Sequence, residues 1–199
     1  MTDESNVTKK VVESARLTES REESKKKPRE EKSITVSTGV VFRIKEVPQI
    51  AYVDLRNSLP EPAPPVFYNP ENDREEPNEN DPRYITAKAN WEIAMSTAVM
   101  NISILFGSEI EQIPDGVLTP DSENFKETLG LLLRSMGWTK NEIKEIGKLE
   151  RYLFWVKYEA CKGSIRGENS DLNNLFSAIG NASGVTEEDV AETIEKFRD

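Results

Sequence analysis

The chain has 199 residues with 26 Lys/Arg against 36 Asp/Glu, a formal charge of −10 and a mean hydropathy of −0.61. It contains no histidine, which excludes a Ser-His-Asp triad, a Cys-His pair and every histidine-bearing metal site. The acidic balance disfavours contact with nucleic-acid phosphates, and no run approaches the ~20 apolar residues that span a bilayer, so neither nucleic acid nor membrane is an expected partner.

Residues 1–33 hold nine Lys/Arg and eight Asp/Glu, with Val7, Val11, Val12 and Leu17 as scattered apolar side chains. That is too little apolar surface to offset the entropy of ordering, so a disordered, mixed-charge tail is expected. The basic run Lys25-Lys26-Lys27 reads as solvated. The segment lacks the apolar core and cleavage site of a signal peptide, which points to a product that stays where it is made. The remaining chain, with 17 basic and 28 acidic residues, carries the negative charge.

Two short β-branched runs, 34–36 and 40–44, flank Ser37-Thr38-Gly39 and predict a small hairpin with Gly39 at the permissive turn position. A lone hairpin is marginal, so it must rest on helices or pair with another chain. Residues 48–59 predict a short helix with Pro48 in its first turn and Ile50, Val53 and Leu55 as its apolar side. The proline-dense strip PEPAPPVFY at 60–68 reads as extended. The stretch NPENDREEPNEND that follows carries six carboxylates and Arg74. It lacks the central glycine of a calcium loop and is broken by Pro70 and Pro77, so a solvated acidic linker is expected at 69–81.

Asp81-Pro82 is a cap followed by a first-turn proline, and the helix it opens should run to about Phe106, roughly 37 Å, with Gly107 closing it. Trp91, Met95, Ala98, Ile102 and Leu105 make its heptad-like seam. Residues 108–122, with Pro114-Asp115-Gly116 and Pro120-Asp121, read as turns. Glu109 and Glu111 there lack a complementary base or nucleophile and read as surface charge. An amphipathic helix at 123–136 follows, with Phe125, Leu129, Leu132 and Met136 inward and Gly137 as its stop. Thr139 with Glu142 has capping-box spacing and opens a short helix.

Residues 148–161, KLERYLFWVKYEAC, carry one apolar stripe of Leu149, Tyr152, Leu153, Val156 and Ala160. A second comprises Phe154, Tyr158 and Cys161, with Trp155 near the remaining gap. Two stripes require neighbours on two sides, which predicts a central helix with Cys161 as an inert core thiol. The loop KGSIRGENS has the wrong order for a phosphate loop. Leu172, Leu175, Phe176 and Ile179 mark a further helix from Asp171. Thr186 opens a last one with Val190, Ile194 and Phe197 on one side. A helix-turn-helix reading fails because the second helix would bring Glu187, Glu188 and Asp189 against DNA phosphates.

These elements predict a mainly α protein: a compact helical bundle with a small N-terminal β-hairpin and the disordered tail. The expected units are the tail at 1–33, the hairpin, short helix and proline strip at 34–68, the acidic linker at 69–81 and a helical domain at 82–199. Nothing in the pattern calls for a catalytic, metal or cofactor site. Catalysis by carboxylates alone is the remaining enzyme class, and no paired carboxylates sit in a cleft-forming context.

The order of the pieces carries a resemblance. A strand pair, VPQIAYVDLRNSLPEPAPPVFY, the acidic NPENDREEPNENDPRYITA, a long helix, a PDG turn, RYLFWVKY and SGVTEEDVAETIEKFR together resemble the tail assembly chaperones of tailed bacteriophages, or tail proteins of similar genomic position. The likeness covers residues 39–198. It implies a non-enzymatic protein of the host cytoplasm that binds tape-measure and tail-tube proteins during tail assembly. The alternative is a structural virion component such as a minor tail or connector protein. The surfaces expected to meet partners are the hairpin edge (Val40, Phe42, Ile44), the strip of Pro62, Pro64, Pro65, Val66, Phe67 and Tyr68, and the last helix through Ile194 and Phe197.

Overall fold

The computed structural model describes residues 32–71, 73–164 and 170–184. Most of the expected N-terminal tail, and the expected last helix with Ile194 and Phe197, lie outside the described residues. In chain order the elements are β1 (Lys32–Thr35), β2 (Val41–Ile44), α1 (Gln49–Ser58), β3 (Val66–Asn69), β4 (Arg74–Pro77) and α2 (Pro82–Gly107). They continue with β5 (Ser108–Gln112), α3 (Glu123–Ser135), α4 (Lys140–Lys144), α5 (Lys148–Trp155), a π-helical turn (Val156–Ala160) and α6 (Asp171–Ser183).

Helix makes up 54% of the described residues and strand 14%, the strands forming two small antiparallel sheets, so the fold is mixed α/β. This corrects the expectation of a mainly α bundle with one hairpin. Two strands replace expected irregular chain: β5 lies in the expected turn region and β4 in the expected linker. The tail boundary also moves, because Lys32 and Ser33 already pair in β1.

The first sheet has the order β1-β2-β5. Gly39, at φ +85°, turns β1 into β2, with Val36 N–H donating to Val40 O at 3.0 Å and Gly39 N–H to Val36 O at 2.8 Å. On its other side β2 pairs with β5, so the hairpin is completed by its own chain; a bulge falls between Val41 and Phe42. β5 alternates: Glu109 and Glu111 face outward, while Ile110 packs on the core.

The core gathers around Trp155, which is fully buried. Its ring meets Phe42 edge-on at 6.1 Å and stacks on Tyr152 at 6.1 Å, and its indole Nε1–H donates to Leu118 O. The α5 helix starts at Gly147, whose N–H donates to Glu150 Oε2 at 2.7 Å, and then widens into the π turn, where Cys161 N–H donates to Val156 O at 3.0 Å. The widened turn rotates the following residues. Trp155, Val156, Glu159, Ala160 and Cys161 are all buried, whereas Tyr158, expected on an inward stripe, is exposed.

The α2 helix begins as predicted, with the Asp81 carboxylate accepting from the N–H groups of Arg83 at 2.8 Å and Tyr84 at 3.2 Å. Its second half is packed on both sides through Ala98, Met100, Ile102, Ile104 and Phe106. It ends against α6 so closely that a Cβ on Gly107 would lie 2.2 Å from Ile179 Cγ2. In α1 the buried side chains are Ala51 and Leu55, and Val53 points to solvent. In α3 they are Phe125, Leu129 and Leu133, leaving Met136 exposed.

Candidate polypeptide-binding surface

The second sheet, β3 with β4, stands apart from this core, its strands packing chiefly on each other. The register pairs Val66 with Pro77, Phe67 with Glu76, Tyr68 with Glu75 and Asn69 with Arg74. Alternate residues share a face. One face carries Phe67, Asn69, Arg74 and Glu76, drawn together by Asn69 Nδ2–H donating to Glu76 Oε2 at 2.9 Å and by Arg74 Nε to Glu76 Oε1 at 2.7 Å. The other carries Val66, Tyr68, Glu75 and Pro77, all exposed. Val66 is 66% exposed, Phe67 44% and Tyr68 58%, a contiguous apolar strand in water on a sheet of two strands. Neither feature is self-sufficient: two strands are marginal alone, and exposed contiguous apolar surface marks interaction sites.

At the hairpin tip Asp73 takes a left-handed conformation, φ +51°, and accepts from the Tyr68 hydroxyl. That bond, with a smaller contribution from burial, pushes the Tyr68 phenol above its usual value. The start of the proline strip that leads into the hairpin is tied to α2. The Trp91 indole N–H donates to Leu59 O at 2.9 Å, and Lys88 lies 3.6 Å from Glu61 across the proline strip. Pro62 and Pro64 are half-buried there; Pro65 is exposed. The neighbouring first half of α2 buries none of its side chains, and Ile85 and Ile93 stand 54% and 57% exposed on it.

The expected contact surfaces therefore divide. Val66, Phe67 and Tyr68 are exposed together on one strand. Val40, Phe42 and Ile44 are buried, at 0, 0 and 7% exposure, because their side chains pack into the core, and both edges of β2 are paired. That hairpin edge is core and is withdrawn as a contact surface. The contribution of β4 has no signal in the sequence, since REEP reads as solvated charge.

The buried carboxylates of Asp171 and Glu159 have structural partners, whereas Asp54 Oδ2 is buried without one among the described residues. Asp171, buried at the start of α6, accepts from Ser37 N–H at 3.1 Å and from the Ser37 hydroxyl, and Thr38 donates to Ala160 O. Glu159 Oε1 accepts from Leu118 N–H at 3.2 Å and from Lys162 Nζ at 2.7 Å. Burial, and secondarily Asp171, pushes the Cys161 thiol up to about 12, so it stays protonated at neutral pH. Glu109 lies 3.1 Å from Lys45 and Glu111 accepts from Ser33 at 2.6 Å, each occupied at the sheet surface. Among the described residues no helix is long and apolar enough to cross a membrane. Comparison of the chain with protein-family models, characterised proteins and solved structures returns no match.

Proposed function

We propose that the chain is a non-enzymatic polypeptide-binding protein: a tail assembly chaperone of a tailed bacteriophage, acting in the host cytoplasm on tape-measure or tail-tube subunits. The observation that supports binding is the β3–β4 hairpin, which leaves Val66, Phe67 and Tyr68 in water on a sheet too small to be stable by itself. The phage assignment is supported by the resemblance in the order of the sequence pieces between residues 39 and 198. An acidic surface and an exposed extended strand suit a protein that holds another chain by its backbone and releases it.

Two measurements test the reading. Co-expression with the tape-measure and tail-tube proteins of the same phage should keep at least one of them soluble and co-purifying. Mass spectrometry of finished virions should find the chain absent. Its presence in stoichiometric amount would instead make it a structural component of the particle.

A further inference from the structure

The two edges of the β3–β4 hairpin are not equivalent. Asn78 N–H donates to Pro65 O at 2.7 Å, and the register places these two residues opposite each other. In an antiparallel pair the hydrogen-bonded positions alternate, so Phe67 and Asn69 direct their main-chain groups into the hairpin, while Val66 and Tyr68 direct theirs away from β4. The same alternation points the backbone nitrogen of Pro77 out of β4, where it has no hydrogen to give. Proline and charge at an edge are the ordinary means of preventing strand pairing, and β4 has both in Pro77 and Glu75. Within β3 the outer edge has neither, Pro64 and Pro70 lying beyond its ends. It presents the N–H and C=O groups of Val66 and Tyr68 beside apolar side chains, and no strand among the described residues covers it.

Resting on the polypeptide-binding reading above, we propose that the outer edge of β3 is a strand-addition site that takes an extended, lysine- or arginine-bearing segment of a partner polypeptide. Main-chain pairing supplies the attachment and is indifferent to side chains; the surroundings select for charge. Residues 69–81 carry six carboxylates against Arg74, and that guanidinium is already engaged by Glu76. Glu75 stands on the exposed face beside Tyr68, about 9.6 Å, two strand spacings, from an added strand, so a long basic side chain lying across Tyr68 approaches it. A second copy of this chain is a poorer occupant, since edge-to-edge pairing would bring two such carboxylate sets together on molecules of charge −10 each.

The test uses the full chain and a labelled octapeptide of alternating lysine and valine, with alternating glutamate and valine as its counterpart, read by fluorescence anisotropy. The basic peptide should bind and the acidic one should not. Affinity should fall as salt rises from about 50 to about 500 mM. Val66→Pro removes one outward donor while leaving the inward ladder of Phe67 and Asn69 intact, and should weaken binding about tenfold. Glu75→Lys, which leaves the backbone untouched, should weaken the basic peptide and strengthen the acidic one. No binding at about 1 mM peptide, or binding that Val66→Pro leaves unchanged, overturns the proposal. So does self-association of the full chain that Val66→Pro abolishes, which would make a second copy the occupant. A gain in peptide affinity on replacing Lys25, Lys26 and Lys27 together by alanine also overturns it, by making the chain's own basic run the occupant. Tape-measure or tail-tube protein that binds Val66→Pro as well as the wild type defeats the edge assignment and spares the functional reading. Peptide binding without binding of either tail protein does the reverse.

Discussion

Lys157 tests the packing around the π turn through its protonation. Its Nζ donates to Asn101 on α2 at 2.7 Å, and among the described residues no carboxylate pairs with it. Burial pulls its pKa from 10.5 to about 8. The folded chain therefore releases this proton first, and between those two values the unfolded chain binds more protons, so stability rises with pH across that window. At about 1.4 kcal/mol per unit the whole gain is about 3 kcal/mol, of which about 2 kcal/mol is realised by pH ~9.5. Urea denaturation at intervals from pH ~7 to ~9.5 should show wild-type stability rising by that amount relative to Lys157→Met, which cannot titrate. Burial also pushes the Cys161 thiol and the Tyr52 and Tyr152 phenols up, so the thiol from pH ~9 and the phenols above pH ~10 ionise first in the unfolded chain and oppose the trend; both proteins carry these groups, so the comparison cancels them. Parallel curves for the two proteins would refute the burial of Lys157 and with it the placement of the π turn against α2.

Three further substitutions probe the scaffold by chemical denaturation. Gly107→Ala forces a methyl into Ile179 and should cost about 1–3 kcal/mol, with part of the loss recovered in the double variant with Ile179→Ala; a neutral effect would separate α2 from α6. Asp171→Asn puts an amide donor against the donors of Ser37 and should cost about 1–3 kcal/mol, much of it absent in a Ser37→Ala background. Trp155→Phe strands Leu118 O beneath the core and should cost about 1–3 kcal/mol, where an unchanged midpoint would remove the tryptophan from its central place.

Elements whose ends carry local chemistry were legible in the sequence. The α2 helix was announced by Asp81-Pro82 and closed at Gly107, and α4 by the Thr139–Glu142 box, with Thr139 N–H donating to Glu142 Oε2 at 2.7 Å and Glu142 N–H to Thr139 Oγ1 at 3.3 Å. Gly39 marked the β1–β2 turn by its need for positive φ. Elements that exist only through a partner strand were not. SEIEQ becomes β5 because β2 lies beside it, and REEP becomes β4 because β3 does. Four or five residues that include two glutamates have no intrinsic strand preference to announce either one. The π turn was hidden for a different reason: a single extra residue per turn leaves the composition untouched and changes only which side chains face inward. Hence Tyr158 was expected inside and Glu159, which is 5% exposed, was not. At the candidate surface the apolar strip 66–68 could be named from the sequence. Which of its edges is open could not, because that depends on the register that aims Pro77 outward.

Binding through β3 requires that Val66 and Tyr68 meet another backbone. Amide exchange of the full chain, followed residue by residue with and without the tail-tube or tape-measure protein of the same phage, addresses this directly. Val66 and Tyr68 should exchange freely in the isolated chain while Phe67 and Asn69 are slowed, and the partner should slow the first two. Tight binding of the partner with Val66 and Tyr68 still exchanging freely would contradict binding through that strand.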